Sequence, residues 1–358
     1  MTVALVLCSQ AGFGGAERRL LRAYAVMLRE HEFTGCLFIQ GDYSNFIDLI
    51  NKLNLDISVF QHVVCQKSRI KLLCEVCKSD ASVIHLLDIS LTWSAIMLVE
   101  HWRRKKILLT ISGLTASSGK LEDYRQNLAY WAWKHADHVD LLYPQFKENV
   151  LRFRGAKPLS CTPGTFTDLC VFQPAKKEKM LLFCAARLSA GKNPLMLVEA
   201  LTDVAQDIRR EGYRVVIAGR GYQEEQIKSK IHQAHLDDIV EMPGYIAPQD
   251  YVVKAQVVFS LQTPNYPSQV VAEACASGCC VIATSCKEDP TTFLNPSFAL
   301  FCDKNANSLA KTISYYLSLD EKQKSQLEKN ARAHAEKYFT VENSAKYFGV
   351  IIENLLKR

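Results

Sequence analysis

Short, wholly apolar runs alternate with longer amphipathic stretches along this chain, and that alternation restricts the fold more than any other feature. Val3–Cys8, Gly35–Gln40, Val83–Leu87, Ile107–Ile111 and Val139–Tyr143 read as buried strands, with amphipathic helices such as Glu17–Arg29 and Leu121–His135 between them. A strand apolar on both faces must be covered on both. Helical crossovers return the chain to the starting edge, so the pattern specifies parallel sheets flanked by helices. The alternation pauses at Cys161–Asp168, rich in Pro, Gly and Thr, and at the charged stretch Val171–Lys179. It resumes with strands expected at Leu181–Ala185, Arg214–Ala218, Ile239–Met242, Ala255–Ser260, Cys280–Thr284 and Phe298–Phe301. Helices are expected at Gln269–Ala276, Ser308–Ser318 and, strongly amphipathic, Val341–Lys357. At 358 residues the chain exceeds what one core usually organises. The expectation is an α/β protein with two tandem Rossmann-like, doubly wound parallel-sheet domains, at residues 1–170 and 180–340, joined by a linker at 171–179. Ligands of such sheets bind beyond the carboxyl ends of the strands, so the expected site is an interdomain cleft faced by those ends.

Composition narrows the class. Hydrophobic residues at 48% and charged residues at 22% fit an ordinary globular protein and exclude disordered or collagenous chains. The net charge of +6 is mild, but two basic clusters stand out: Arg18, Arg19 and Arg22, and the run Arg103, Arg104, Lys105 and Lys106. The plain reading is solvated helix ends; the functional one is attraction to a membrane leaflet or a phosphate-bearing acceptor. Aromatic residues are not interleaved with these bases, which argues against nucleic acid as a partner. Of the 13 cysteines, Cys74 and Cys77 form the sole C-x-x-C, and no second pair or H-x-x-x-H completes a zinc site. We expect a reduced, cytoplasmic protein without metal. Met1–Cys8 lacks a basic lead-in and reads as a first strand, and no apolar run reaches the ~18 residues of a spanning helix.

Three motifs fall where chemistry is expected. Gly12-Phe-Gly14-Gly15-Ala-Glu17 follows the first strand and opens a helix. Its glycines would let backbone approach a ligand at an anion-attracting helix start, although a tight turn explains them equally well. In Ala185-Ala-Arg187-Leu-Ser-Ala-Gly191-Lys192-Asn-Pro194, two cations flank a short loop between a strand and a helix, a setting that suits a diphosphate better than an exposed turn. In Thr263-Pro-Asn265-Tyr266-Pro-Ser268-Gln269-Val-Val-Ala-Glu273, a helix begins near Ser268, where unsatisfied N–H groups meet anions. Glu273 is a lone carboxylate in a helix of small apolar residues. It suits a ligand's hydroxyls, or a structural cap or ion pair.

Arg187 with Lys192, Gly219-Arg-Gly221, Pro243-Gly-Tyr245 and Glu273-Ala-Cys-Ala-Ser-Gly278 together resemble the C-terminal half of the retaining family-four glycosyltransferases, enzymes of the GT-B fold. Gly14-Gly-Ala-Glu17 and Thr162-Pro-Gly164…Asp168…Phe172-Gln-Pro174 are similar to that family's N-terminal glycine loop and pre-linker segment. The resemblance spans nearly the whole chain, specific in its second half and looser in its first. It implies transfer of a sugar from a nucleotide diphosphate sugar to a hydroxyl of a glycan or lipid-linked acceptor. It also implies retention and no metal or other cofactor. We place that activity in surface polysaccharide or lipopolysaccharide assembly, at the inner face of a membrane. In the same terms Arg187 and Lys192 hold the diphosphate, and Glu273 bonds the ribose. Tyr266 to Gln269 line sugar and phosphates, Tyr245 meets the base, and residues 341–358 cross back to the first domain. Two positions depart from the pattern. The first acid of the family's E-x7-E pair is Asn265 here, and Ser112 stands where the family carries an N-terminal histidine. His85 and Asp88, at a neighbouring strand end, could compensate, although such a histidine is more often simply packed. These departures leave room for a GT-B relic that binds and scaffolds, and a sugar-nucleotide epimerase on the same fold is a further alternative.

Overall fold

The computed structural model describes residues 1–8, 15–53, 57–88, 91–111, 120–142, 147–162, 166–262, 268–285 and 294–357. Two compact units divide the chain: Met1–Thr162 together with Val341–Arg358, and Pro163–Thr340.

The first unit alternates strictly: β1 (Thr2–Cys8), α1 (Gly15–Glu30), β2 (Thr34–Gln40), α2 (Tyr43–Leu53), β3 (Phe60–Gln66), α3 (Arg69–Lys78), β4 (Val83–Leu87), α4 (Leu91–Trp102), β5 (Lys106–Ile111), α5 (Lys120–His135), β6 (His138–Leu141), α6 (Lys147–Arg154) and β7 (Leu159–Cys161). Its sheet is parallel, in the order β3-β2-β1-β4-β5-β6-β7. The order reverses between β1 and β4. Val3 to Leu7 of β1 are fully buried, each such side chain stabilising the fold by ~1.5–3 kcal/mol. One face packs on α3, α4 and α5 through Leu72, Ile96, Met97 and Trp133. On the other, α1 is joined by the helix Val341–Leu356, which packs against α1, β4 and β5.

The second unit runs β8 (Met180–Arg187), α7 (Pro194–Glu211), β9 (Arg214–Arg220), α8 (Glu224–Gln233), β10 (Val240–Gly244), α9 (Pro248–Val252), β11 (Val257–Ser260), α10 (Gln269–Ala276), β12 (Cys280–Thr284), β13 (Ala299–Cys302), α11 (Ala306–Ser318) and α12 (Glu321–Tyr338). The C-terminal helix is thus α13. This second parallel sheet has the order β10-β9-β8-β11-β12-β13, reversing between β8 and β11. Helix ends are set by local chemistry. Pro194 opens α7, Gly212 ends it at φ 70°, and Asp320 with Gln323 forms a reciprocal capping box on α12.

Among the described residues the cysteines are unpaired thiols, and no helix is long and apolar enough to cross a membrane.

Candidate functional site

At the point where strand order reverses, loops from the two neighbouring strands leave in opposite directions and open a crevice. In the second unit that point lies beyond β8 and β11. After β8 the chain makes a 3-10 turn, Ala190–Lys192, closed by Asn193 at φ 53°. Asparagine tolerates this left-handed conformation, and Pro194 immediately starts α7. Asn193 Nδ2 donates to the Leu261 carbonyl at 2.6 Å, and Lys192 Nζ donates to Gln262 Oε1 at 3.0 Å. The turn after β8 is thereby stapled to the segment after β11. Thr284, at the end of β12, adds a bond to the Gln262 carbonyl at 2.9 Å.

Next along the chain is the start of α10. Ser268 is its N-cap, yet its hydroxyl makes no capping bond. The Oγ is buried and has no hydrogen-bond partner among the described residues. An N-cap serine normally satisfies an N–H of the first turn. Here that duty is left to something else, at the positive end of a helix dipole. Gln269 spends its side chain on the Phe166 carbonyl at 3.1 Å. Glu273 is buried mid-helix. Burial, then the nearby charge of Glu273, pushes the Cys184 thiol of β8 up to about 12, so the carboxylate lies within electrostatic reach of β8.

On the other side of β8, Leu188 N–H bonds the Arg220 carbonyl at the end of β9 at 2.8 Å. A Cβ on Gly221 would fall 2.3 Å from the Leu188 oxygen, so this close approach admits only glycine. Gly219 has φ 132°, and Gly244, at the end of β10, has φ 78° with the Arg220 side chain passing over it. Tyr245 follows, 72% exposed. Tyr222, also exposed, accepts the Ala190 N–H at 2.9 Å.

Of the residues singled out in the sequence, Lys192, Gly219 and Tyr245 lie at the ends or following turns of β8, β9 and β10, whereas Ser268 caps α10 and Gln269 and Glu273 lie within it. Arg187 closes β8, but its side chain lies outside what is described. Gly15 opens α1. Gly14, Ser112, Asn265 and Tyr266 lie outside the described residues. Sequence reasoning did not single out Gln262, Asn193, Tyr222 or the steric demand at Gly221. An Asn-Pro step after a strand was the one readable signal, for Asn193.

His85 has the packed place and not the compensating one. It sits mid-strand in β4, paired with Leu5 and Leu108, and is fully buried. Nδ1 lies 2.6 Å from the Tyr24 hydroxyl and Nε2 2.8 Å from Thr110 Oγ1, with the Phe348 ring 5.4 Å away. Burial first, then Arg19 and His138, hold its pKa at about 3. It is a neutral core histidine. Beyond it a polar row crosses the sheet. Asp140, fully buried, accepts from Thr110 at 3.1 Å, Thr162 at 2.7 Å and Tyr347 of α13 at 2.5 Å. The two basic clusters also resolve into separate roles. Arg19 is buried whereas Arg18 is exposed. Arg103 and Lys105 bond the Cys77 and Ser79 carbonyls and bracket the buried Glu100.

Residues 170–334 match the family model for glycosyl transferases group 1. A Campylobacter jejuni α-1,4-N-acetyl-D-galactosaminyltransferase, named for a PP-undecaprenol-linked GalNAc substrate, is 21% identical over 226 residues. That match spans 61% of this chain and 61% of the relative's length. Among solved structures, Anabaena HepE in complex with UDP superposes with TM-score 0.80 at 14% identity, covering 99% of this chain and 100% of the other. A Rickettsia africae glycosyltransferase gives 0.76 at 16%, covering 100% and 99%. The Thermosynechococcus elongatus sucrose-phosphate synthase gives 0.74 at 18%, covering 99% of each. Residues 170–334 thus carry a match to glycosyl transferases group 1, within a chain that has the GT-B fold of two Rossmann-like sheets.

Proposed function

We propose that this protein transfers a sugar from a nucleotide diphosphate sugar to a hydroxyl of a glycan or lipid-linked acceptor. We further propose that it does so with retention, at the cytoplasmic face of a membrane, in surface polysaccharide or lipopolysaccharide assembly. The observation that carries the reading is the bond from Lys192 to Gln262 where strand order reverses between β8 and β11, with the buried, uncapped Ser268 hydroxyl at the start of the helix that follows β11. A diphosphate held there faces one cation, a serine donor and a helix start, all fixed before the reaction. As the bond from the anomeric carbon to the diphosphate breaks, negative charge grows on the departing oxygen, and preorganised donors stabilise it without reorganising. Arg187, closing β8, would add a second cation. Glu273 would hold the ribose hydroxyls, and Tyr245, two strands from β8 and so ~10 Å along the edge, would meet the base. Neither the donor pocket nor the retaining outcome draws on a metal in this reading. The PP-undecaprenol-linked substrate in the Campylobacter relative's name supports the lipid-linked choice of acceptor.

A thermal-shift series with UDP-, GDP-, TDP- and CMP-sugars tests the donor site. A ligand present at a hundred times its dissociation constant stabilises by about 2.7 kcal/mol. Lys192→Ala removes one charge-assisted bond and should weaken the active donor ~10- to 100-fold, leaving the melting temperature without donor near that of the wild type. Stabilisation by none of the four donor classes refutes the assignment. Binding without release of nucleotide diphosphate, over a panel of acceptors, would favour a binding module instead.

A further inference from the structure

In the first unit, α4, α5 and α6 all run back from the carboxyl edge of a parallel sheet, so their C-termini gather at its amino edge, opposite the edge used by ligands. There Trp102 ends α4 at 87% exposure, and Leu98, one turn earlier on the same helix face, is 61% exposed. Beside them is an apolar groove of about 170 Å³, bounded by Met97, Leu98, His101, Ile107, Trp131 and His135. Trp131 stacks on His135 with ring centroids 4.8 Å apart. Burial, then Lys157, His101 and Lys134, lowers the His135 pKa. Exposed basic side chains come to the groove from three loci. Arg104 follows Trp102, Lys134 is in the last turn of α5, and Lys157 lies beyond α6, its Nζ bonded to the Lys134 carbonyl at 2.7 Å. Of the neighbouring acids, Glu100 is fully buried between Arg103 and Lys105, and Asp137 accepts the Ile107 N–H at 2.8 Å.

A protruding indole next to an apolar groove and a basic rim matches a bilayer interface layer by layer. Indole settles at headgroup depth, aliphatic side chains enter the acyl region, and lysine and arginine meet lipid phosphates. A stable protein interface needs more than ~1,000 Å² of complementary surface, whereas the features here are two projecting side chains and a narrow slot. We infer that the amino edge of this unit, led by Trp102 and Leu98 and flanked by Arg104, Lys134 and Lys157, docks on an anionic lipid bilayer. The inference is independent of the proposed lipid-linked acceptor, because this edge lies opposite the one used by ligands.

The test is co-sedimentation of the full chain with phosphatidylcholine vesicles, with and without phosphatidylglycerol, in the absence of any donor. Its failure therefore leaves glycosyl transfer untouched. The wild type should bind the anionic vesicles, and binding should fall steeply as salt rises. Leu98→Ser/Trp102→Ser and Lys134→Glu/Lys157→Glu should each lower that binding at least ~10-fold. Circular dichroism and melting should match the wild type, because these side chains are exposed. Equal binding to both vesicle types, salt-insensitive binding by the wild type, or undiminished binding by both variants overturns the inference. So does a wild-type dimer in sedimentation velocity that Trp102→Ser dissolves, which would assign the surface to a second copy of the chain.

Discussion

Protonating His85 should unfold the first unit, and the size of the effect can be worked from its surroundings. The ring is fully buried, engaged at both nitrogens, and held at about 3 against an ordinary 6.5. Between those two values the unfolded chain binds a proton at this residue that the folded one does not. Stability from His85 is therefore complete above pH 6.5 and is lost as pH falls toward 3, by ~1.4 kcal/mol per pH unit in the middle of that window. From pH 7 to pH 5 the loss amounts to ~2 kcal/mol. His135 is shifted downward as well, so the informative quantity is a difference between proteins. His85→Gln keeps a neutral donor and acceptor but cannot take the proton. Its urea-unfolding free energy should change less between pH 7 and pH 5 than that of the wild type, by ~2 kcal/mol, even if it is less stable at both. The chain's four tryptophans, Trp93, Trp102, Trp131 and Trp133, all lie in the first unit, so fluorescence reports that unit alone. A difference below ~0.5 kcal/mol would refute the view of His85 as a neutral core residue, as would a histidine resonance assigned to it that titrates near 6.5 in the folded protein.

Two further substitutions probe other links. Gly221→Ala places a methyl 2.3 Å from the Leu188 oxygen, and backbone has no room to yield. It should cost ~1–3 kcal/mol in the second unit and, by displacing the turn that carries Lys192, weaken donor binding beyond the stability loss. Wild-type melting and donor affinity would contradict the argument. Tyr347→Phe deletes a phenol bonded to Asp140 at 2.5 Å and Ser160 at 2.7 Å, one that burial and then Asp140 hold well above its usual pKa and hence protonated. Loss of ~1.5–3 kcal/mol, measured by tryptophan fluorescence during urea unfolding, is expected, and an unchanged midpoint would show that the bond is not what seats α13.

The central strands were legible because burial on both faces writes them as unbroken apolar runs. Val83–Leu87 and Cys280–Thr284 have the bounds the sequence suggests. The strands it did not reveal, β3 and β7, are the two edges of the first sheet. An edge strand is covered less completely, so β3 can carry Gln61 and His62 facing solvent, and β7 is only three residues long. At the edge of the second sheet, β10 runs on through Pro243 to Gly244, past where an apolar count stops, because an edge strand tolerates a missing donor. The candidate site was readable to the extent that its parts are local. A strand, a short turn and a helix start occupy consecutive residues around Lys192, and Ser268 directly precedes its helix. Gln262 was not, because its role is to receive Lys192 from 70 residues away, and nothing in its own neighbourhood marks that. His85 reads as a packed histidine within an apolar run, but the Tyr24 and Thr110 side chains that engage it come from other elements and are not marked locally.

The same reasoning explains why the polar row of the first unit is worth its buried carboxylate. Thr110, Asp140 and Ser160 are direct cross-strand partners on β5, β6 and β7. Their neighbours Leu109, Ile111, Val139 and Leu141 pack into the opposite apolar layer. β6 and β7 are short, four and three residues, and so offer little apolar area with which to choose a register. Side chains alternate along a strand, so a slip of one residue in β6 would drive Asp140 into the layer of Leu86, Leu109 and Trp133 with no partner, at a cost of several kcal/mol. In the native register the carboxylate collects donors from β5, from Thr162 beyond β7, and from Tyr347, 207 residues along the chain. A single buried acid thus fixes two weak strands and, through Tyr347, the seat of the last helix on the first unit. Asp140→Leu should consequently loosen β6, β7 and α13 together, and hydrogen exchange confined to any one of the three would show that they are not coupled through this residue.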